Sequence, residues 1–407
     1  MNTVLGRFLR STAPLWICPF RPFFLLTAAH GALAMVWWIA LVSGLLPLPE
    51  VAGGIVVWHA HEMLFGFAMA SIVGFLLTAV PEFTGVPPIP RLRLQMLVAL
   101  WLGGRISFTL SGTLTVWPAA LCDLALLLTL IASVARPLWR QPDRRHFTFI
   151  YNLLALFAVH SGFYFALIAG RDPLPWLRLT IGVLMALIVV SLSRISMRLV
   201  NDVLEAQGKE TAPYLARRPR RNLAIFAIAA YSAGEFLLPG NAVPGWLALA
   251  AAAAIANLLN DWHVGRVLRQ RWVLIPYLVY VCMGLGYALI GIGRLGGNDL
   301  ISAGEHLLVV GALGLAVLIV MSVAGRMHSG WGLDHRHWLP LAAGLLVLAA
   351  LVRCAASWTP LAFDELLETA ALVWIAAWTI YLVFSLPILA APRPDGRSGC
   401  DEAPPVR

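Results

Sequence analysis

Charge is scarce in this chain. Only 12% of its 407 residues are Asp, Glu, Lys or Arg, where a soluble globular chain carries about 25%. A water-facing surface cannot be covered with so few charges. With 60% hydrophobic residues and a mean hydropathy of +0.81, the class is a polytopic membrane protein. Cysteine is scarce too. Cys18, Cys122, Cys282, Cys354 and Cys400 are scattered and no C-x-x-C pair occurs, which argues against a disulfide framework and against a cysteine zinc site. No small-residue cleavage pattern follows the first apolar run, so that run is expected to be a retained span rather than a cleaved signal. A second copy of any half is also missing. The only echo of Trp58-His59 is Trp262-His263, at the opposite face.

What is present is a series of apolar runs. A span needs about 20 apolar residues at about 1.5 Å each. Twelve segments qualify, at 22–46, 59–80, 94–111, 114–135, 147–169, 175–193, 223–239, 243–261, 272–293, 303–325, 337–353 and 366–391. The third and fourth are separated only by Gly112-Thr113, which predicts a tight helical hairpin. The expected fold is an all-α integral membrane protein, a bundle of about twelve transmembrane helices. It forms one domain over 1–391, with halves at 1–193 and 223–391 joined by a loop at 194–222, read as a helix extension plus a flexible link. The Pro-rich polar tail, 392–407, reads as disordered.

Arginine placement gives the orientation. With the N-terminus in the cytoplasm, only Arg105, Arg171, Arg178, Arg294 and Arg353 fall on the outer side. All the others, from Arg7 and Arg10 through Arg144, Arg145 and Lys209 to Arg407, fall inside. Both termini are then cytoplasmic. The net charge of +9 and sequence pI near 9.8 are explained by topology, and a nucleic-acid partner is not needed. The lipid bilayer is the partner that composition demands.

The chain turns on Trp58-His59-Ala60-His61-Glu62. Two histidines and a glutamate stand at the mouth of an apolar run. A titratable group inside a bilayer is expensive, about 2.5–3.5 kcal/mol for a mid-membrane charge on insertion scales, and usually has a task. Imidazoles ligate iron, copper and zinc, and a nearby carboxylate fixes the ring tautomer or relays protons. The topology puts His59, His61, His160 and His306, beside Glu305, in the outer membrane half, with Arg105, Asp123 and Glu235. His30 falls in the inner half of the first span and reads as structural. His328, His335 and His337 fall at the cytoplasmic face. His59 and His61 are two apart, so on a regular helix they point about 200° apart, whereas His59 and Glu62 share a face. A bis-histidine haem takes ligands from two helices, which His59 or His61 with His160 or His306 would supply.

Several stretches resemble a known family. PFRPFFLL at 19–26, WHAHEMLFGF at 58–67, GFLLTAVPEFTG at 74–85, WLGGR at 101–105 and HLLVVGALGLAVLIVM at 306–321 are similar to the NnrS family. These are twelve-span bacterial inner-membrane proteins associated with haem, copper and nitric oxide metabolism. By position, the family's histidine signature falls on His59 and His61, its tenth-span histidine on His306, and the histidine after that helix on His328. Two motifs depart from the pattern. GRMHSGWGL at 325–333 has Val323 where the family has arginine, with Arg326 placed differently. SLSRISMRLVND at 191–202 keeps Arg194 and lacks the family's proline.

The resemblance implies a protein binding haem b, and copper, that helps the cell handle nitric oxide or nitrosative stress. Its expected cofactor residues are His59, His61, His306, His160 and Arg105, with Arg105 against a haem propionate or an acid. The expected metal ligands are His59, His61, His306 and His328. Glu62, Glu305, Arg194 and Arg326 would support them. The resemblance names no electron donor and leaves turnover versus binding open. A twelve-span proton-coupled transporter using the same His/Glu cluster is the alternative, and a factor passing metal to a respiratory complex is a third reading.

Overall fold

The structure is a computed structural model and describes residues 14–141, 146–206, 213–297, 299–397 and 399–400. Arg7, Arg10, Arg144, Arg145, Lys209 and Arg407, used above for orientation, lie outside the described residues. Among those described, every regular element is a helix. The long helices are α1 Phe20–Val42, α2 Ile55–Thr84, α3 Arg91–Thr109, α4 Trp117–Trp139, α5 Phe147–Ile168, α6 Leu174–Ala206, α7 Arg218–Leu237, α8 Val243–Leu259, α9 Arg271–Gly296, α10 Leu300–Met327, α11 Trp338–Ala356 and α12 Phe363–Leu389.

Each occupies one of the twelve apolar segments. Among the described residues, nine are long and apolar enough to cross a membrane. Missing from the nine are α3, which carries Arg91, Arg93 and Arg105, α7, which opens on Arg218, Arg220 and Arg221, and α8, which has 17 residues. Proline in the first turn starts α4, α7 and α8, where its missing N–H leaves no hydrogen bond unmade. The connection from α3 to α4 is longer than the expected hairpin, because a helical turn at Ser111–Leu114 and a positive-φ Thr115 (φ 65°) intervene. α6 runs unbroken past Arg194 to Ala206, so the first part of the 194–222 loop is a helix extension.

The helices sort into two compact units that interleave along the chain. The first comprises 1–177, 320–338 and 378–407, and the second 178–319 and 339–377. In the first unit, α2 is the most deeply placed helix, with 89% of its apolar window buried. α2 is not a uniform α-helix. Residues Glu62–Ala68 form a π-helical turn, which widens the helix by one residue and withdraws carbonyls from the regular ladder. Two of these carbonyls are taken by side chains of neighbouring helices. His30 Nε2 of α1 donates to the Glu62 carbonyl at 3.1 Å, and Trp101 Nε1 of α3 donates to the Gly66 carbonyl at 3.0 Å.

One end of the first unit is closed by loops. After α10, Asp334 accepts from Arg336, Trp338 Nε1 and Arg326. Its carboxyl is held well below the usual carboxylate range, chiefly by Arg336. Of the tail, the described residues pack onto this end. Arg393 is buried and donates to the carbonyls of His328 and Gly399. Arg21 of α1 donates to the carbonyls of Leu389 and Ala391, a cation at the C-terminus of α12. Cys18 and Cys400 form a disulfide, a single bridge where the scattered cysteines argue against a disulfide framework. Their separation of 382 residues carries no spacing signal. They meet because Arg21 bonds to the segment after α12 and Arg393 holds that segment against His328 and Gly399.

In the second unit, α9 packs against α8 and the start of α10. Two ion pairs, one at an exposed arginine and one half-buried, tie its helices together. Arg178 pairs with Glu305 at 2.9 Å, and Arg294 pairs with Glu235. α10 has its own π-helical turn, Leu307–Leu313, directly after His306.

Candidate metal centre

Four helices of the first unit bring their polar residues to one place. α2 supplies His61 and Glu62, α3 Arg105, α4 Asp123, and α5 both His160 and Tyr164. The last two are four apart and so share a face. His61, Glu62, Arg105, Asp123, His160 and Tyr164 are all buried. Two glycines allow the close approach. A Cβ on Gly104 would stand 2.1 Å from Asp123 Oδ1, and one on Gly66 would stand 2.3 Å from His30 Nε2.

The hydrogen bonds fix most of the protons. His61 Nδ1–H donates to Glu62 Oε1 at 3.1 Å. That leaves the lone pair of His61 on Nε2, pointing into the cluster. This carboxylate–imidazole arrangement is the one that orients metal-ligating histidines. Arg105 then joins the two acids. Its Nη1 donates to Glu62 Oε1 at 2.9 Å, and its Nη2 donates to both Asp123 oxygens at 2.6 Å. Glu62 also meets His30 Nε2, at 3.2 Å through Oε2. Tyr164 donates to Asp123 Oδ2 at 2.6 Å.

At the centre, three ligand-type atoms converge. His61 Nε2 lies 3.4 Å from His160 Nε2 and 3.5 Å from Asp123 Oδ2, and His160 Nε2 lies 3.6 Å from the same oxygen. One imidazole must donate across the first contact. His61 is committed at Nδ1, so His160 donates from Nε2. Its Nδ1 is buried without a hydrogen-bond partner. Aromatic rings hold both imidazoles in place. Phe108 packs on His61 at 3.8 Å between centroids, and Phe65 stacks on His160 at 3.5 Å.

With neutral histidines, Glu62 and Asp123 outweigh Arg105 by one negative charge. A buried uncompensated charge is costly, and a cation among the three ligand atoms offsets it. His61, Asp123 and His160 can hold a metal ion. Two imidazoles and a carboxylate suit copper, iron or zinc. A porphyrin does not fit between the two imidazoles as they are packed. The Asp123 carboxylate and Tyr164 hydroxyl occupy the space its macrocycle needs.

The sequence profile of the NnrS protein family matches residues 14–393. The chain belongs to the NnrS family. No curated protein matches it.

The NnrS positions singled out from sequence separate in space. His61, Glu62, Arg105 and His160 meet in the cluster. His59 faces elsewhere and stacks on Trp38 of α1, centroids 4.3 Å apart, as the two-residue offset from His61 requires. Glu62 bonds to His61. His306, Glu305 and Arg194 belong to the second unit. There His306 Nδ1 donates to the Ser302 carbonyl at 2.8 Å, and Glu305 pairs with Arg178. Arg326 and His328 serve the closing loops. Arg326 binds the Gly332 carbonyl and Asp334, and His328 Nδ1 donates to the Cys400 carbonyl at 2.7 Å, with Nε2 3.7 Å from Glu82. Asp123, Tyr164 and His30 complete the cluster without having been selected. A carboxylate inside an apolar run was the available signal for Asp123.

Proposed function

We propose that this NnrS-family chain is a metal-binding protein of the bacterial inner membrane that handles nitric oxide or relieves nitrosative stress. In this reading the metal is held by His61, Asp123 and His160. Glu62 orients His61, and Arg105 fixes both carboxylates. The observation that carries it is the buried convergence of His61 Nε2, His160 Nε2 and Asp123 Oδ2 around one point. A copper or iron ion there would supply a coordination position for a diatomic ligand. Copper suits the cluster, whereas the haem b implied by the family rests on membership alone. The same reading has twelve spans and both termini in the cytoplasm, on the arginine bias. The transporter alternative draws on the same residues and has no observation of its own.

The test is an absorption spectrum of detergent-purified protein, oxidised, reduced, and reduced with nitric oxide. The reading expects metal-dependent bands that shift with nitric oxide and vanish in His61→Ala while persisting in His335→Ala. Bands indifferent to nitric oxide, or unchanged in His61→Ala, contradict it.

A further inference from the structure

The geometry points to Tyr164 as a fourth ligand of this metal, an inference that rests on the reading just proposed. Tyr164 is buried on α5, one turn beyond His160. Its Oη lies 2.6 Å from Asp123 Oδ2 and 3.2 Å from His61 Nε2. Its ring stacks with His160 at 5.0 Å between centroids and 26° between planes. With Oη added, the centre has four donor atoms. Five of their six mutual separations are then 2.6, 3.2, 3.4, 3.5 and 3.6 Å. A tetrahedral ion with bonds of about 2.0–2.1 Å sets its ligand atoms about 3.3–3.4 Å apart. Four of these five separations already stand close to that spacing, and the short hydrogen bond from Tyr164 to Asp123 must lengthen.

Charge supports the same assignment. The phenol proton now bridges Tyr164 to Asp123. When the ion binds, the His160 proton moves from Nε2 to the unpartnered Nδ1, which leaves that ring neutral, and the phenol proton is released to solvent, so the phenolate adds one negative charge. The cluster of Glu62, Asp123, Arg105 and phenolate then carries two negative charges, which a divalent ion neutralises. Burial of the whole group without net charge avoids the penalty of an uncompensated ion. The set is also closed by the protein. An exogenous diatomic ligand therefore enters by adding a fifth donor or by displacing the phenolate.

The probe is copper(II) added to the full-length, detergent-purified chain. A tyrosinate bound to copper(II) gives a visible charge-transfer band, and Raman excitation in that band enhances the tyrosinate ring modes. The inference expects both signatures in the wild type. It expects Tyr164→Phe to retain copper and lose both. Copper bound in a His160-dependent way without tyrosinate modes in the wild type overturns the role of Tyr164 and leaves the three-ligand reading standing. Tyrosinate modes that survive in Tyr164→Phe also overturn it. Copper uptake that is the same in wild type and His160→Ala overturns the metal centre itself, and this inference with it. Where Tyr164→Phe fails to fold, a wild-type copper spectrum without tyrosinate modes still overturns the role of Tyr164.

Discussion

Arg105 holds the balance of the cluster. It is the cation shared by Glu62 and Asp123, with three contacts of 2.6–2.9 Å in a buried setting. Removing one partner from such a group strands the other charges. Arg105→Leu is therefore expected to cost about 3–5 kcal/mol, seen as a lower thermal midpoint in detergent. An unchanged midpoint would mean that the two acids do not depend on it. Single residues also show what sequence reading reached. His61, Glu62, His160 and Arg105 were legible because each is a titratable group in an apolar run, where its presence needs a reason. Asp123 gave the same signal, but its partner lies 18 residues away on another helix. Tyr164 gave none, since a tyrosine in a span is ordinary until its hydroxyl is seen beside a carboxylate. His59 and His61 look equivalent in the motif, and only the helix phase separates the one on Trp38 from the one in the cluster.

The decisive element is the π-helical turn at Glu62–Ala68. It sets His61 toward α4 and α5 while freeing the Glu62 and Gly66 carbonyls for His30 and Trp101. Deleting Met63 should remove the extra residue, return the Glu62 and Gly66 carbonyls to a regular ladder away from His30 and Trp101, and reseat Glu62 against His61. The expected result is loss of metal with far-ultraviolet circular dichroism preserved. Retained metal would show that the turn does not position the histidine. Hydrophobic runs placed the twelve long helices of the described residues, nine of which are long and apolar enough to cross a membrane. The π turns in α2 and α10 escaped, since one extra residue per helix leaves the hydropathy profile unchanged. The division into two interleaved units was equally hidden, because it depends on which helices touch rather than on where each begins.

For the whole molecule, the first and last described segments meet at Cys18 and Cys400, on the side that the arginine bias assigns to the cytoplasm. Thiols are kept reduced there. Both are therefore expected to be thiols in intact cells, where the half-exposed Cys400 reacts with a membrane-permeant maleimide and the buried Cys18 does not, and to pair once the protein is isolated without reductant. Resistance to labelling in intact cells, reversed by reductant, would place this end outside and invert the proposed orientation. The central claim is that one buried group on α2, α4 and α5 holds a metal ion. The most direct measurement is metal content by mass spectrometry of protein purified from cells given ample copper and iron, comparing wild type, His160→Ala and His59→Ala. The account predicts a single ion per chain in wild type and His59→Ala and its loss in His160→Ala. The same metal content in all three would contradict it.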